Sequence, residues 1–368
     1  MEEMNFLVID TAIRENRCFA IRRIPGEDKL RFTVAEADAV MTCCDMEELN
    51  GQAGFVFAPF YATEDCPIVC LQGEEYELDI PDATIPEPTQ TWPFTHMTAG
   101  YPKRFRRFIT PLREGCMKKL VLTRRIEIER TADFSPATAF LMACQKYPEA
   151  YVYLFHTPDT GTWLGCTPEI FLSGGNGNWL AAAIAGTQPL VADGLLPQVW
   201  SEKNYVEQQL VADFIQNQLT TAGLKPSVTG PYAIHAASDI AHLKTDFRFS
   251  VSDDNHTGDL LKLLYPSPSI CGLPKEEAFR FINEKEGYDR RYYSGFLGRL
   301  DPKGKSELYI NIRCMEILPD FLELYVGSGL LPDSAASEEW RETEAKLRTM
   351  RSLIYKSYVP GEGKTGEQ

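Results

Sequence analysis

The 368 residues include 44% hydrophobic and 11% aromatic side chains, enough for a large core in one big domain or two closely packed halves. No stretch approaches the ~18 uncharged apolar residues of a membrane span. A formal charge of −15 argues against nucleic acid and anionic membranes as partners, so an anionic substrate would need local Arg, Lys, backbone N–H groups or a bound cation.

Residues 1–98 read as a β-rich part of the fold. The N-terminus, Met1-Glu-Glu-Met-Asn5, is acidic and lacks the basic start of a secretory signal. The runs Phe6-Leu-Val-Ile9, Gly54 to Phe60 and Ile68 to Leu71 suggest strands of an antiparallel sheet. Four prolines between Pro81 and Pro93 forbid a central strand or helix interior, so 81–93 reads as a linker. Ten cysteines without CxxC spacing suggest reduced thiols in a cytoplasmic protein and no zinc.

From 99 to 358 strands and helices mix without regular βαβ alternation, which predicts an α+β fold with large antiparallel sheets. A helix is expected near 100–118. Lys119 to Glu129 then reads as the clearest strand, followed by strands near 151–157, 162–172 and 179–186. Ser173 to Asn178 forms a hairpin loop, without the strand–loop–helix setting of a phosphate-binding loop. An amphipathic helix runs from about Ser201 to Ala222, with Val206, Leu210, Val211, Phe214, Ile215 and Leu219 at helical spacing. Glu207 falls on its buried flank, where a carboxylate needs a partner.

The last strands are expected near 307–318 and 321–327, before a helix at 337–356. Ser337 can cap that helix, and Glu338 and Glu339 suit its positive end. Glu339, Glu342 and Lys346 stand at i, i+3 and i+7, a stripe about 60° wide. A charge stripe alone is most often a solvated face. Here Leu324 to Leu330 (LYVGSGL) reads as a buried strand ending in a glycine turn, and strand, bare turn and carboxylate-bearing helix together make a pocket for an anion and a divalent metal. The tail, 359–368, imitates part of a phosphate-binding loop without its first glycine or a following helix, and reads as disordered.

Ten short segments follow one another in a recognisable order. They begin with Lys119-Leu-Val-Leu-Thr-Arg124, Gly165 to Leu172 (GCTPEIFL), Ala183-Ile-Ala-Gly-Thr187 and Lys203-Asn-Tyr-Val-Glu207. Ala241-His-Leu-Lys-Thr245, Pro266 to Pro274 (PSPSICGLP) and Tyr292-Tyr-Ser-Gly295 follow. Asn311-Ile-Arg-Cys314, Val326-Gly-Ser-Gly329 and Glu339-Trp-Arg-Glu-Thr343 complete the series. Singly they have ordinary explanations: Lys119 and Arg124 as strand-edge charges, Arg313 as an ion-pair partner, His242 as a core histidine, Gly327 and Gly329 as turn residues. In order, over roughly 100–356, the chain resembles the chorismate-utilising enzymes, which include isochorismate, salicylate, anthranilate and aminodeoxychorismate synthases.

The resemblance implies two antiparallel sheets packed face to face with helices outside. It also implies an isomerase, most like isochorismate synthase, that adds water at C2 of chorismate with loss of the C4 hydroxyl. Lys119 stands where the water-adding enzymes carry a lysine, and Ala185 where the covalent aminodeoxychorismate type carries one. By resemblance Lys119 is the general base, which must be neutral to take a proton, and Glu169 the general acid, which must be protonated. Mg²⁺ falls to Glu207, Glu342 and Glu339, and oxygen ligands suit that hard ion. Arg313, Tyr293 and the N–H groups around Gly327 and Gly329 fall to a substrate carboxylate, and Thr187, His242 and Lys346 to the ring end. Gln188, Asn204, Gln208, Tyr265 and Arg291 depart from the usual pattern without removing a proton-transfer or metal residue. Product use in menaquinone or siderophore synthesis, a monomer or homodimer, and a silent chorismate-binding paralogue as the rival complete the expectations.

Overall fold

The computed structural model describes residues 7–81, 95–191, 194–235 and 240–354. The tail at 359–368 and nearly all of the proline-rich stretch lie outside them. Two nine-stranded sheets organise the chain. In spatial order the first holds Gly272–Leu273, Lys119–Glu129, Phe321–Leu330, Cys314–Ile317, Gly161–Thr167, Tyr151–Thr157, Cys18–Arg23, Lys29–Ala35 and Glu74–Asp79. The second holds Ser227–His235, Ile240–Ser250, Asn178–Pro189, Ile170–Gly175, Ser306–Ile310, Phe296–Leu300, Gly54–Ala58, Ile68–Leu71 and Val40–Cys43. Every strand pairing within the sheets is antiparallel. Strands before residue 81 enter both sheets: Cys18–Arg23 pairs with Tyr151–Thr157, and Gly54–Ala58 with Phe296–Leu300.

Side-chain alternation explains the layers. In Tyr151–Thr157, Tyr151, Tyr153 and Phe155 face the other sheet, while Val152 and Leu154 point outward to a second apolar cluster. Both faces are buried, so the strand reads as a continuous apolar run. The sheets meet through aromatic rings, with Phe57 stacked on Phe155 at 4.3 Å and Tyr151 on Tyr309 at 4.1 Å. Such pairs add to the burial of their large areas.

Seven α-helices are described: α1 (Leu7–Arg14), α2 (Tyr101–Arg113), α3 (Pro136–Lys146), α4 (Glu202–Thr221), α5 (Thr257–Leu264), α6 (Lys275–Lys285) and α7 (Ala336–Arg351). Residues of α1, α3 and α7 cover the outer face of the first sheet, and those of α4 and α5 the outer face of the second. None is long and apolar enough to cross a membrane. All ten cysteines are free, with Cys44 and Cys116 exposed and the others buried.

Several expectations need correction. The apolar run after Phe6 is not a strand. It begins α1, which buries Ile9 and Ala12 against residues of α3 and is tied down where Ala137 N donates to Asp10 Oδ1 at 3.0 Å. Helix α7 starts after Ala335 with no side-chain cap, and Ser337 lies inside its first turn. Helix α4 starts where expected, capped by Ser201, and buries Val211, Phe214, Ile215 and Leu219, but Val206 is exposed. Gly327 and Gly329 lie inside a strand, paired with Thr123 and Val121, and form no turn.

Candidate active site

The strand that carries those glycines forms the floor of a small cleft, with α4, α7 and the strands Asn178–Pro189 and Ile240–Ser250 around it. A Cβ on Gly327 would lie 2.8 Å from Thr123 Cγ2 and 3.0 Å from the Tyr293 hydroxyl. One on Gly329 would lie 2.3 Å from Glu207 Oε1 and 2.9 Å from Lys119 Cε. The glycines therefore make space for working side chains. The neighbouring Cys314–Ile317 strand stops pairing at Tyr325, which leaves an open edge beyond it. Lys346 Nζ donates to Gly327 O there at 3.1 Å. The N–H and C=O of one strand residue point the same way, and residue i+2 repeats the direction. The N–H groups of Gly327 and Gly329 thus share this edge.

Gly329→Ala is expected to leave the fold intact, because the atoms it displaces are ends of flexible side chains. Turnover should fall about 10²-fold, the effect of an ångström-scale misplacement of reacting groups. An unchanged melting temperature beside a lost rate would confirm this; an unchanged rate would refute it.

Glu169 is buried in the connection between the Gly161–Thr167 and Ile170–Gly175 strands. Its Oε1 accepts from Ser269 Oγ at 2.5 Å, and its backbone oxygen accepts from Ile310 N at 2.9 Å. Burial pushes its pKa up to about 7, although Ser269, Lys119, Lys346 and Arg313 all favour the carboxylate. A carboxyl that is largely protonated just below neutrality can donate a proton.

Arg313 takes a left-handed φ of 50° between Ser306–Ile310 and Cys314–Ile317, strain of about 1–3 kcal/mol that neighbouring contacts must hold. Its backbone oxygen accepts from Cys166 N, and Asn311, two residues earlier, is pinned by Tyr153 and by the backbone of Tyr292, Ser294 and Gly295. The guanidinium is buried; Nη2 donates to His242 Nε2 at 3.3 Å and Nη1 has no partner. Burial first, then Arg313 and Lys346, bring the His242 pKa down to about 3. The neutral ring accepts from Arg313, so its other nitrogen carries the proton and donates to Gly186 O at 3.1 Å, with Thr187 Oγ1 at 3.3 Å. His242 and Thr187 therefore orient an unsatisfied cation toward the cleft, which suits a carboxylate. Tyr293 stacks on Tyr325 beside it at 5.3 Å.

The three glutamates each face a lysine. Lys119, buried at the head of its strand, lies 3.0 Å from Glu207 Oε1 without hydrogen-bond alignment. Lys203 on α4 donates to Glu339 Oε1 at 2.7 Å. Lys346 donates to Glu342 Oε1 at 2.6 Å, one turn along α7. Burial and Glu342 push the Glu339 pKa up, whereas Lys346, then Lys203 and Arg313, overcome burial and hold Glu342 below the ordinary value. Thus nine of the expected residues line the cleft, while Lys119, Glu339 and Glu342 stand behind them. Arg313, with Nη1 unpartnered, and Lys346 line the cleft beside the neutral His242 ring, so the cleft suits an anion despite the acidic chain.

Among the described residues no three His, Cys, Asp or Glu side chains lie close enough together to hold a metal, because each glutamate is turned to its lysine. The donor set nevertheless fits a hard divalent cation. Its carboxylates are carried on α4 and α7, and Glu339 Oε2 is buried without a hydrogen-bond partner. Ser269 and Lys203 had no role in the sequence pattern. For Lys203 the signal was its place four residues before Glu207, on one helix face; Ser269 is brought to Glu169 only by the fold.

The sequence model of the family described as chorismate binding enzyme matches residues 81–355. Isochorismate synthase EntC of Escherichia coli (strain K12) is 29% identical over 244 residues, 64% of this chain and 62% of that protein. Isochorismate synthase DhbC of Bacillus subtilis (strain 168) is 27% identical over 250 residues, 64% and 63% of the two chains. The match therefore spans less than two thirds of either relative. The structure of MenF, the menaquinone-specific isochorismate synthase from Escherichia coli, superposes with a TM-score of 0.76 at 18% identity, covering 92% of this chain and 88% of that one. At that identity the likeness is one of fold.

Proposed function

The chain belongs to the family of chorismate-binding enzymes, and from that premise we propose that it is an Mg²⁺-dependent isochorismate synthase. The observation that carries this reading is the proton-holding carboxyl of Glu169 in the cleft wall, with the buried Lys119 side chain directly behind Gly329 of the same cleft. Adding water requires one group to remove a proton and another to supply one.

In the proposed reaction Lys119 takes a proton from water as its oxygen bonds to C2 of chorismate. The ring double bonds shift, the C4–oxygen bond breaks, and Glu169 gives its proton to the departing hydroxyl. One water enters and one leaves, so the reaction is an isomerisation. Arg313, oriented by His242, holds the carboxylate of the enolpyruvyl group, with Tyr293 and the Gly327–Gly329 edge beside it. Glu207, Glu339 and Glu342 would hold Mg²⁺, which when bound supplies a divalent charge for the ring carboxylate. Product use in menaquinone or siderophore synthesis belongs to the same proposal.

Purified protein incubated with chorismate and Mg²⁺ should accumulate isochorismate, resolved by chromatography. Absence of isochorismate would refute the proposal. Salicylate with pyruvate would identify a salicylate synthase, and a product formed only with ammonium an anthranilate-type enzyme.

A further inference from the structure

We infer that Lys203 is the resident counter-cation of the metal site, and that a divalent ion enters by displacing its ammonium from Glu339. This rests on the Mg²⁺ reading above and adds to it an exchange of cations.

Lys203 is the second residue of α4, where the positive end of the helix dipole disfavours a cation. Its charge therefore needs compensation from elsewhere. Glu339 provides it at 2.7 Å, with Glu342 and Glu207 adding to the same field. An ammonium influenced by all three proposed ligands stands where a metal would neutralise them. Glu339 is 1% exposed and its Oε2 has no partner, so without Lys203 this carboxylate would be buried beside Glu342 uncompensated. Exposure also decides which lysine can leave. The Lys119 side chain is wholly buried and that of Lys346 is 13% exposed, whereas that of Lys203 is 26% exposed on a flexible stem. Lys203 can swing into water without crossing the core.

Mg²⁺ titration by calorimetry, without substrate, tests the exchange on the wild-type protein, Lys203→Met and Lys203→Gln. Both variants should bind Mg²⁺ about tenfold more tightly, a gain of about 1.4 kcal/mol. Their metal-free melting temperatures should fall, and Mg²⁺ should raise them more than it raises the wild type. Unchanged or weaker binding in the variants would overturn the exchange and leave Lys203 as an anchor of α4. Wild-type protein that takes up no Mg²⁺ would remove the metal reading and this inference together. The glutamine variant keeps the test open if the methionine variant does not fold.

Discussion

Replacing Glu169 with glutamine is expected to lower kcat by about 10²–10⁴-fold, the usual contribution of a positioned general acid, while chorismate and Mg²⁺ still bind. Glutamine fills the same space and its amide oxygen can keep the Ser269 hydrogen bond, but it carries no transferable proton. The pH profile supplies a second readout. Burial raises the Glu169 pKa from 4.5 to about 7, and the proposed reaction needs the protonated form. The wild-type rate should therefore decline as pH rises through about 7, and the residual rate of Glu169→Gln should lack that limb. Stability follows the same sign. The folded protein holds this proton more tightly than the unfolded chain, so the contribution is complete below about 4.5 and is lost as pH rises through about 7. Calorimetric loss of chorismate or Mg²⁺ binding in the variant would instead make Glu169 a ligand.

What could be read in the sequence followed local rules. Lys119–Glu129 has the expected bounds because apolar and polar residues alternate in its outer half, and α4 starts at its serine cap. The Glu339, Glu342 and Lys346 stripe needed only helical spacing. Other features were set by partners distant in the chain. Leu7-Val-Ile9 is too short for periodicity to separate strand from helix, and contacts with α3 decide for α1. The glycines at 327 and 329 resembled a turn, because glycine is a turn former. Their actual constraint is the space occupied by Tyr293, Glu207 and Lys119, which come from three other segments. The lysine–glutamate pairs were equally hidden between elements. Only the Glu342–Lys346 pair lies within one helix.

Replacing Lys119 with alanine should reduce isochorismate formation by about 10²–10⁴-fold, with a smaller effect on KM. The side chain is wholly buried at the first residue of its strand, where Lys119 pairs with Leu273. It approaches the cleft beside Gly329, and its nitrogen meets Glu207 at 3.0 Å. A buried lysine can be merely structural, so the variant must separate loss of chemistry from loss of fold. Glu207 is 14% exposed at its side chain and can turn to solvent once the amine is gone. The electrostatic part of the stability loss should therefore stay within the ordinary range of about 0.5–3 kcal/mol for a single substitution. Lys119→Met keeps most of the side-chain volume and should lose the same activity with less change in melting temperature. Matched losses of turnover in the two variants, with chorismate still binding, identify proton removal as the missing function. A silent chorismate-binding paralogue predicts no isochorismate from the wild type and no measurable change in either variant. An active wild type whose two lysine variants keep its rate would remove Lys119 from the reaction and assign the base to another group.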